Sequence, residues 1–273
     1  MNESTKIELG RARAELEAVY EEYNRRECVH PDPLELVTPY DDRADREVAA
    51  LAASALAYGR VTQILANAGS ALDRLGESPA ECVGSASREE LLGRFEGFRH
   101  RFTTGAELAA LLHAAGRVRR RYGSLERCFA AGLDDDGETV REALTAFVGE
   151  LVAEAGEPLL HLLPSPARGS ACKRLNLFLR WLVRRDAVDP GGWGAVPAAR
   201  LIVPVDTHMH RVGLALGMTA RRSADLRAAL EITAGFRAIA PADPVRYDFA
   251  LTRLGMRGGG RLAEFLRRVG GAV

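Results

Sequence analysis

Among the 37 basic residues of this 273-residue chain only Lys6 and Lys173 are lysines; the other cations are arginines. Arginine can replace lysine wherever positive charge and solubility alone matter, so a retained lysine invites a chemical reason. An amine can lose its proton and attack an electrophile, whereas a guanidinium effectively cannot. Lys173 follows a loop rich in turn formers, His161-Leu-Leu-Pro-Ser-Pro-Ala-Arg-Gly-Ser-Ala-Cys, that opens into an apolar helix running through Trp181. Ser170 is the expected N-cap, which puts Lys173 at the third helical position. The positive end of a helix dipole disfavours an ammonium there. The alternative is a solvent-facing lysine in a first helical turn.

A second candidate ends the apolar stretch Leu201-Ile-Val-Pro-Val205. Asp206 sits where a helix should begin, so capping alone would explain it. A carboxylate directly after an apolar stretch also suits a partly desolvated group, able to stabilise developing positive charge on a sugar or to take up a proton. His208 and His210 could bind a metal from one face of a strand. On a helix they lie about 200° apart and cannot share one. The other histidines, His30, His100, His113 and His161, have no obvious ligand partner in sequence, so no metal is expected.

The elements that must position these residues read as helices. Apolar residues recur at helical spacing, as in Leu9, Ala12, Leu16 and Tyr20, and alternating strand-like runs are scarce. Helices are expected over 5–26, 44–58, 62–75, 87–94, 104–122, 124–131, 138–154, 170–185, 207–216, 223–239, 244–254 and 260–269. Ser223 and Asp243 are expected N-caps, Pro244 a first-turn residue and Gly217 a helix stop. The one candidate strand, 201–205, is too short and isolated to seed a sheet. Stretches 134–137 and 164–169 read as loops, with no repeat or flexible linker. The fold class expected is all-α.

Composition narrows the function classes. With 47% hydrophobic residues the chain can bury a substantial core. No apolar run approaches the roughly 20 residues of a membrane span, and the charged N-terminal segment lacks a signal peptide's apolar stretch, so a cytoplasmic address without membrane attachment is expected. Cys28, Cys82, Cys128 and Cys172 are far apart with no CxxC pair; they read as free thiols and exclude an iron–sulfur cluster. Net charge is zero, but residues 161–273 hold 18 Lys+Arg against 8 Asp+Glu, leaving 19 against 29 for residues 1–160. Such asymmetry fits one surface that follows a phosphate backbone, or arginines that merely solvate helices.

The string Val205-Asp-Thr-His-Met-His-Arg-Val212 resembles the VDTH-x-x-RV segment of endonuclease III-type DNA glycosylases, whose Asp is the catalytic carboxylate; that position is Asp206 here. In bifunctional members of this helix-hairpin-helix superfamily a lysine opening the preceding helix attacks the sugar, the place held by Lys173. Where the superfamily carries an LPGVGxKTA hairpin, this chain has Leu163-Pro-Ser-Pro-Ala-Arg-Gly-Ser-Ala-Cys-Lys173, so the usual glycine-rich clamp on a phosphate is altered. The Lys–Asp interval of 33 residues and the atypical hairpin are similar to the archaeal 8-oxoguanine glycosylase branch. The stretches Tyr58-Gly-Arg-Val-Thr-Gln63, Lys173-Arg-Leu-Asn with Trp181, and Asp243-Pro-Val-Arg-Tyr-Asp-Phe-Ala-Leu-Thr-Arg-Leu-Gly255 resemble a bacterial family of unassigned function placed in this superfamily.

The resemblance implies a two-lobed fold: a six-helix-type lobe over 46–200 carrying the hairpin and Lys173, and a second lobe of 1–45 with 201–273 carrying Asp206. It implies a monomeric base-excision repair glycosylase with lyase activity, a hydrolase without cofactor, acting on double-stranded DNA with a flipped damaged base, an oxidised purine being the first expectation. Arg60 and Gln63 fall in a turn that resembles the strand-wedging segment. Arg168, Ser170, Arg174, His208 and Arg211 are further DNA-binding candidates, and Tyr58, Trp181, Trp193 and Tyr247 could offer π-faces to an extruded base. Each also has an ordinary surface, capping or core reading. The rivals are a non-catalytic nucleic-acid-binding protein on the same scaffold and, more distantly, a metal-dependent hydrolase using Asp206, His208 and His210.

Overall fold

A computed structural model describes the backbone over residues 3–257 and 260–269, and the side chains from residue 12 onward except that of residue 257. Lys6 and Leu9 therefore lie outside the described side chains. Among the described residues the chain forms thirteen α-helices: α1 (Glu3–Tyr23), α2 (Arg43–Ala55), α3 (Val61–Asp73), α4 (Pro79–Ser85), α5 (Arg88–Arg94), α6 (Gly105–Tyr122), α7 (Leu125–Ala130), α8 (Arg141–Ala155), α9 (Lys173–Val183), α10 (Thr207–Ala215), α11 (Leu226–Ile239), α12 (Asp248–Arg257) and α13 (Arg261–Val269). The expected all-α class is what forms. No described helix is long and apolar enough to cross a membrane.

The departures from expectation are local and have physical causes. Helix α4, not anticipated, starts at Ser78, whose hydroxyl accepts from the Glu81 amide, with Pro79 in the first turn. Before α6 the chain makes a two-stranded antiparallel hairpin, β1 (Arg99–His100) and β2 (Thr103–Thr104), too short for an alternating pattern to register. Residues 201–205 are buried and pair with no strand; their one side-chain anchor is the Val203 amide donating to Thr233 Oγ1 at 3.0 Å. Helix α11 is capped by Asp225, not Ser223. Asp243 caps nothing: its carboxylate takes the Arg184 guanidinium at 2.9 Å, and α12 starts five residues later. The loop at 164–169 contains a 3-10 turn, Pro166–Arg168.

The sharpest correction concerns α9. It begins at Lys173, so the lysine is the first helical residue and Cys172, not Ser170, is the N-cap. Cys172 is in the left-handed region (φ 48°, ψ 39°), a conformation that costs a non-glycine residue on the order of 1 kcal/mol or more. The Ser170 hydroxyl accepts from the Cys172 amide at 3.2 Å and the Cys172 thiol donates to Pro164 O at 3.2 Å, so the bend is tied down on both sides.

The N-terminal helix α1 packs on α11, α12 and α13. Glu15 pairs with Arg268, Glu17 with Arg246, Glu22 with Arg261 and Asp32 with Arg253. Four of the 18 cations of residues 161–273 are thus paired with acids of the other half where the two ends meet. Arg180 and Arg184 are likewise withdrawn into the interior, onto Asp186, Asp189, Asp243 and Asp248.

Candidate functional site

Helix α9 has two stripes. Leu175, Phe178, Leu179 and Leu182 recur at i, i+3, i+4 and i+7 and are buried, with Phe178 stacked on Phe147 of α8 at 5.9 Å. Lys173, Leu177 and Arg180, at i, i+4 and i+7, line a cavity of about 680 Å³ instead. Opposite them Asp248, Phe249, Thr252 and Met256 line it from α12, Thr207 and His208 from the start of α10, and Tyr58 and Gly59 from the turn between α2 and α3. The volume falls within the range of small-molecule sites.

In this cavity Lys173 Nζ lies 2.9 Å from Asp206 Oδ2, with both side chains partly exposed. Asp206 is the N-cap of α10, its Oδ1 accepting from the amides of His208 and Met209 at 2.9 Å each. One oxygen is therefore fixed by the helix and the other is turned to the amine. Burial pushes the Asp206 carboxyl up, but the Lys173 charge and the two amides outweigh it, and the group stays below the ordinary carboxylate range. The pair is an ionised carboxylate in contact with the chain's only described lysine side chain.

Beneath it lies a buried ion network. Arg180 donates to Asp248 Oδ2 at 2.5 Å and to Asp189 Oδ1 at 3.2 Å, and Arg180, Asp189 and Asp248 are all at most 4% exposed. Burial drives the Asp248 carboxyl up to about 6, against the pull of Arg180. Sequence reading missed both residues. The signal was there: Arg180 stands at i+7 from Lys173, on the same stripe of α9.

The remaining candidates separate. Tyr58, Ser170, Arg174 and His208 line the cavity with the pair. The Arg174 guanidinium is committed, however, to the backbone carbonyls of Ala55 and His161, and lies over the Tyr58 ring at 5.0 Å. Arg60, Gln63, Arg168 and Arg211 are exposed and lie outside the lining, although Arg60 stands between two lining residues, Gly59 and Val61. Trp181 is fully buried away from the cavity. Trp193 is also buried, donating to Glu47 Oε1 at 3.0 Å. Tyr247 is 1% exposed and donates to Glu17 Oε1 at 2.7 Å; burial and that carboxylate raise its hydroxyl well above the usual range. None of these three rings offers the cavity a face.

His208 lines the cavity, whereas His210 is buried with Nε2 at 2.9 Å from Arg221 O, so the two rings serve different surroundings. Among the described residues no group of three or more His, Cys, Asp or Glu could hold a metal ion. The four cysteines are free thiols.

No curated protein and no solved structure matches the chain. One family does, over residues 32–257, a span that includes the Lys173–Asp206 pair and every helix lining the cavity. On that match the chain belongs to the family described as "Protein of unknown function (DUF2400)".

Proposed function

We propose that the protein is a helix-hairpin-helix DNA glycosylase with lyase activity, acting through Lys173 and Asp206 on a nucleotide extruded into the cavity. The observation that carries this reading is the 2.9 Å contact between the one described lysine side chain and an ionised carboxylate inside a cavity of about 680 Å³. A flipped nucleotide needs such a space, because its target atoms are inaccessible within a stacked duplex.

The chemistry follows from the two groups. The Lys173 amine, its proton passed to Asp206 or to the leaving base, attacks C1′ as the C1′–N bond breaks, and the base departs with that bonding pair. Asp206, ionised at rest, stabilises the positive charge that develops on the sugar. Ring opening leaves a C1′=N Schiff base, with the former ring oxygen taking a proton. Loss of a C2′ proton then expels the 3′ phosphate and cleaves the strand. An oxidised purine remains the first substrate class to test.

The second reading is a non-catalytic nucleic-acid-binding protein. It is favoured by the 163–173 segment, which makes a proline-led 3-10 turn and a strained cysteine cap in place of a glycine-rich clamp. Borohydride reduction in the presence of duplexes carrying abasic or 8-oxoguanine sites decides between them. A covalent adduct from the wild type that is lost in Lys173→Ala is expected; no adduct on any lesion refutes the Schiff-base chemistry.

A further inference from the structure

The β1–β2 hairpin presents Phe102 at its tip, 56% exposed, next to the cavity mouth. The Phe102 ring stacks on Tyr58, a cavity-lining residue, with centroids 4.9 Å apart and planes at 26°, and meets the His161 ring edge-on at 5.1 Å. Leu160, beside His161, and Met256, on the cavity wall, are also about half exposed. Two of the five exposed large apolar side chains among the described residues, Met256 in the lining and Phe102 stacked on a lining residue, therefore belong to this one cavity, and Leu160 directly precedes a residue that touches Phe102. Scattered singly they would need no explanation; gathered around a cavity they mark a contact surface.

The tip is held rigidly. Tyr58 donates its hydroxyl hydrogen to His100 O at 2.8 Å and accepts from Thr103 Oγ1 at 2.6 Å, which leaves the threonine oxygen to accept from His161 Nε2 at 3.0 Å. His100, fully buried and kept neutral by that burial, donates from Nε2 to Tyr58 O at 3.0 Å and accepts from the Asn67 amide at Nδ1. Thr104 closes the hairpin as the N-cap of α6, in a reciprocal capping pair with Glu107. Arg101 is one of two described non-glycine residues at positive φ (55°), and its side chain packs so close to Gly59 that a Cβ there would lie 2.9 Å from Nη1. An apolar ring has been fixed in solvent at the cost of a strained neighbour. Around it Arg60, Arg99 and Arg101 are exposed, and none of the three makes an ion pair with a described residue.

We propose that Phe102, backed by Tyr58, is a preformed stacking platform for an unpaired nucleobase of a nucleic-acid strand at the cavity mouth, with Arg60, Arg99 and Arg101 placed for the flanking phosphates. A planar apolar face accepts any base, and the arginines supply the charge complementarity a phosphodiester requires. The occupant is the base next to, or opposite, the nucleotide that enters the cavity. This rests on the reading of the protein as nucleic-acid-binding but not on its chemistry.

The test reads binding with the full-length protein and a fluorescent duplex carrying a tetrahydrofuran abasic analogue. Phe102→Ala should weaken binding about 5- to 100-fold, the loss of one base–aromatic stack, while leaving the salt dependence unchanged because no phosphate contact is removed. Phe102→Trp should retain affinity, and its emission, in excess of the two buried native tryptophans, should be quenched by the duplex. Phe102→Ala affinity within twofold of wild type, or an unquenched Phe102→Trp, overturns the platform. Quenching without any borohydride-trapped adduct would refute the Schiff-base chemistry and leave the platform standing. An adduct with unquenched tryptophan would do the reverse. No binding to any oligonucleotide would refute both.

Discussion

Replacing Arg180 by methionine isolates what the buried network under the cavity contributes. The substitution removes the ion partner of Asp248, 4% exposed, whereas Asp189 keeps Arg184. Stripping one partner from a buried ion pair costs about 3 to 5 kcal/mol, because the other charge is left uncompensated in a low dielectric. At about 2 to 4 °C per kcal/mol for a chain near this size, Tm should fall by roughly 6 to 20 °C at pH 8. The loss should shrink at pH 5. There the Asp248 carboxyl, pushed up to about 6 by burial, is already largely protonated, and Arg180 has less charge to compensate. Arg180→Met/Asp248→Leu should recover most of the loss at pH 8, giving a coupling of about 2 kcal/mol or more. Calorimetry of the four proteins at the two pH values decides. Equal losses at pH 5 and pH 8, or additive single substitutions, would mean that the guanidinium matters for its packing and not its charge.

Because the folded-state value of Asp248 lies above that of an unfolded aspartate, near 3.9, its contribution runs opposite to a surface carboxylate. The native state binds the extra proton between about pH 4 and 6, so wild-type stability relative to Asp248→Asn should fall by about 3 kcal/mol as pH rises through that window; a flat difference in urea denaturation refutes the shift. Asp206 is held low by Lys173, so Asp206→Asn should keep the helix cap, with Tm within a few degrees of wild type, yet lower adduct formation by about 100-fold or more. Adduct formation at the wild-type rate would remove Asp206 from the chemistry. Gly116→Ala brings a Cβ within 1.9 Å of Val83 O and should cost about 2 to 4 kcal/mol in denaturant unfolding, where a surface glycine on a helix would gain. Glu47→Ala removes the acceptor shared by the amides of Leu125 and Glu126 and the Trp193 indole, and should cost about 3 kcal/mol or more by the same measurement.

The helical class was legible because 3.6-residue periodicity is local: the stripe Leu175, Phe178, Leu179 and Leu182 announces a helix whatever it packs against. The two residues at the centre of the site were legible for separate reasons, Lys173 as a chemical exception among arginines and Asp206 as a cap after an apolar stretch. Their distance was not. A gap of 33 residues carries no metric, and only the packing of α9 beside the start of α10 brings amine and carboxylate to 2.9 Å. Boundaries failed where a side chain found a better partner far away, as when Asp243 went to Arg184 instead of capping α12. A half-chain surplus of arginine is likewise a sum over sequence that carries no position, and only tertiary structure shows that Arg246, Arg253, Arg261 and Arg268 meet acids from the other half. Trp181 and Tyr247 looked like surfaces for a base until burial decided otherwise, whereas Phe102, in a hairpin too short to leave a pattern, became conspicuous only once the fold left it in solvent. Residue type and spacing thus singled out an amine at Lys173 and a carboxylate at Asp206; that the two groups meet was decided by packing between elements distant in sequence.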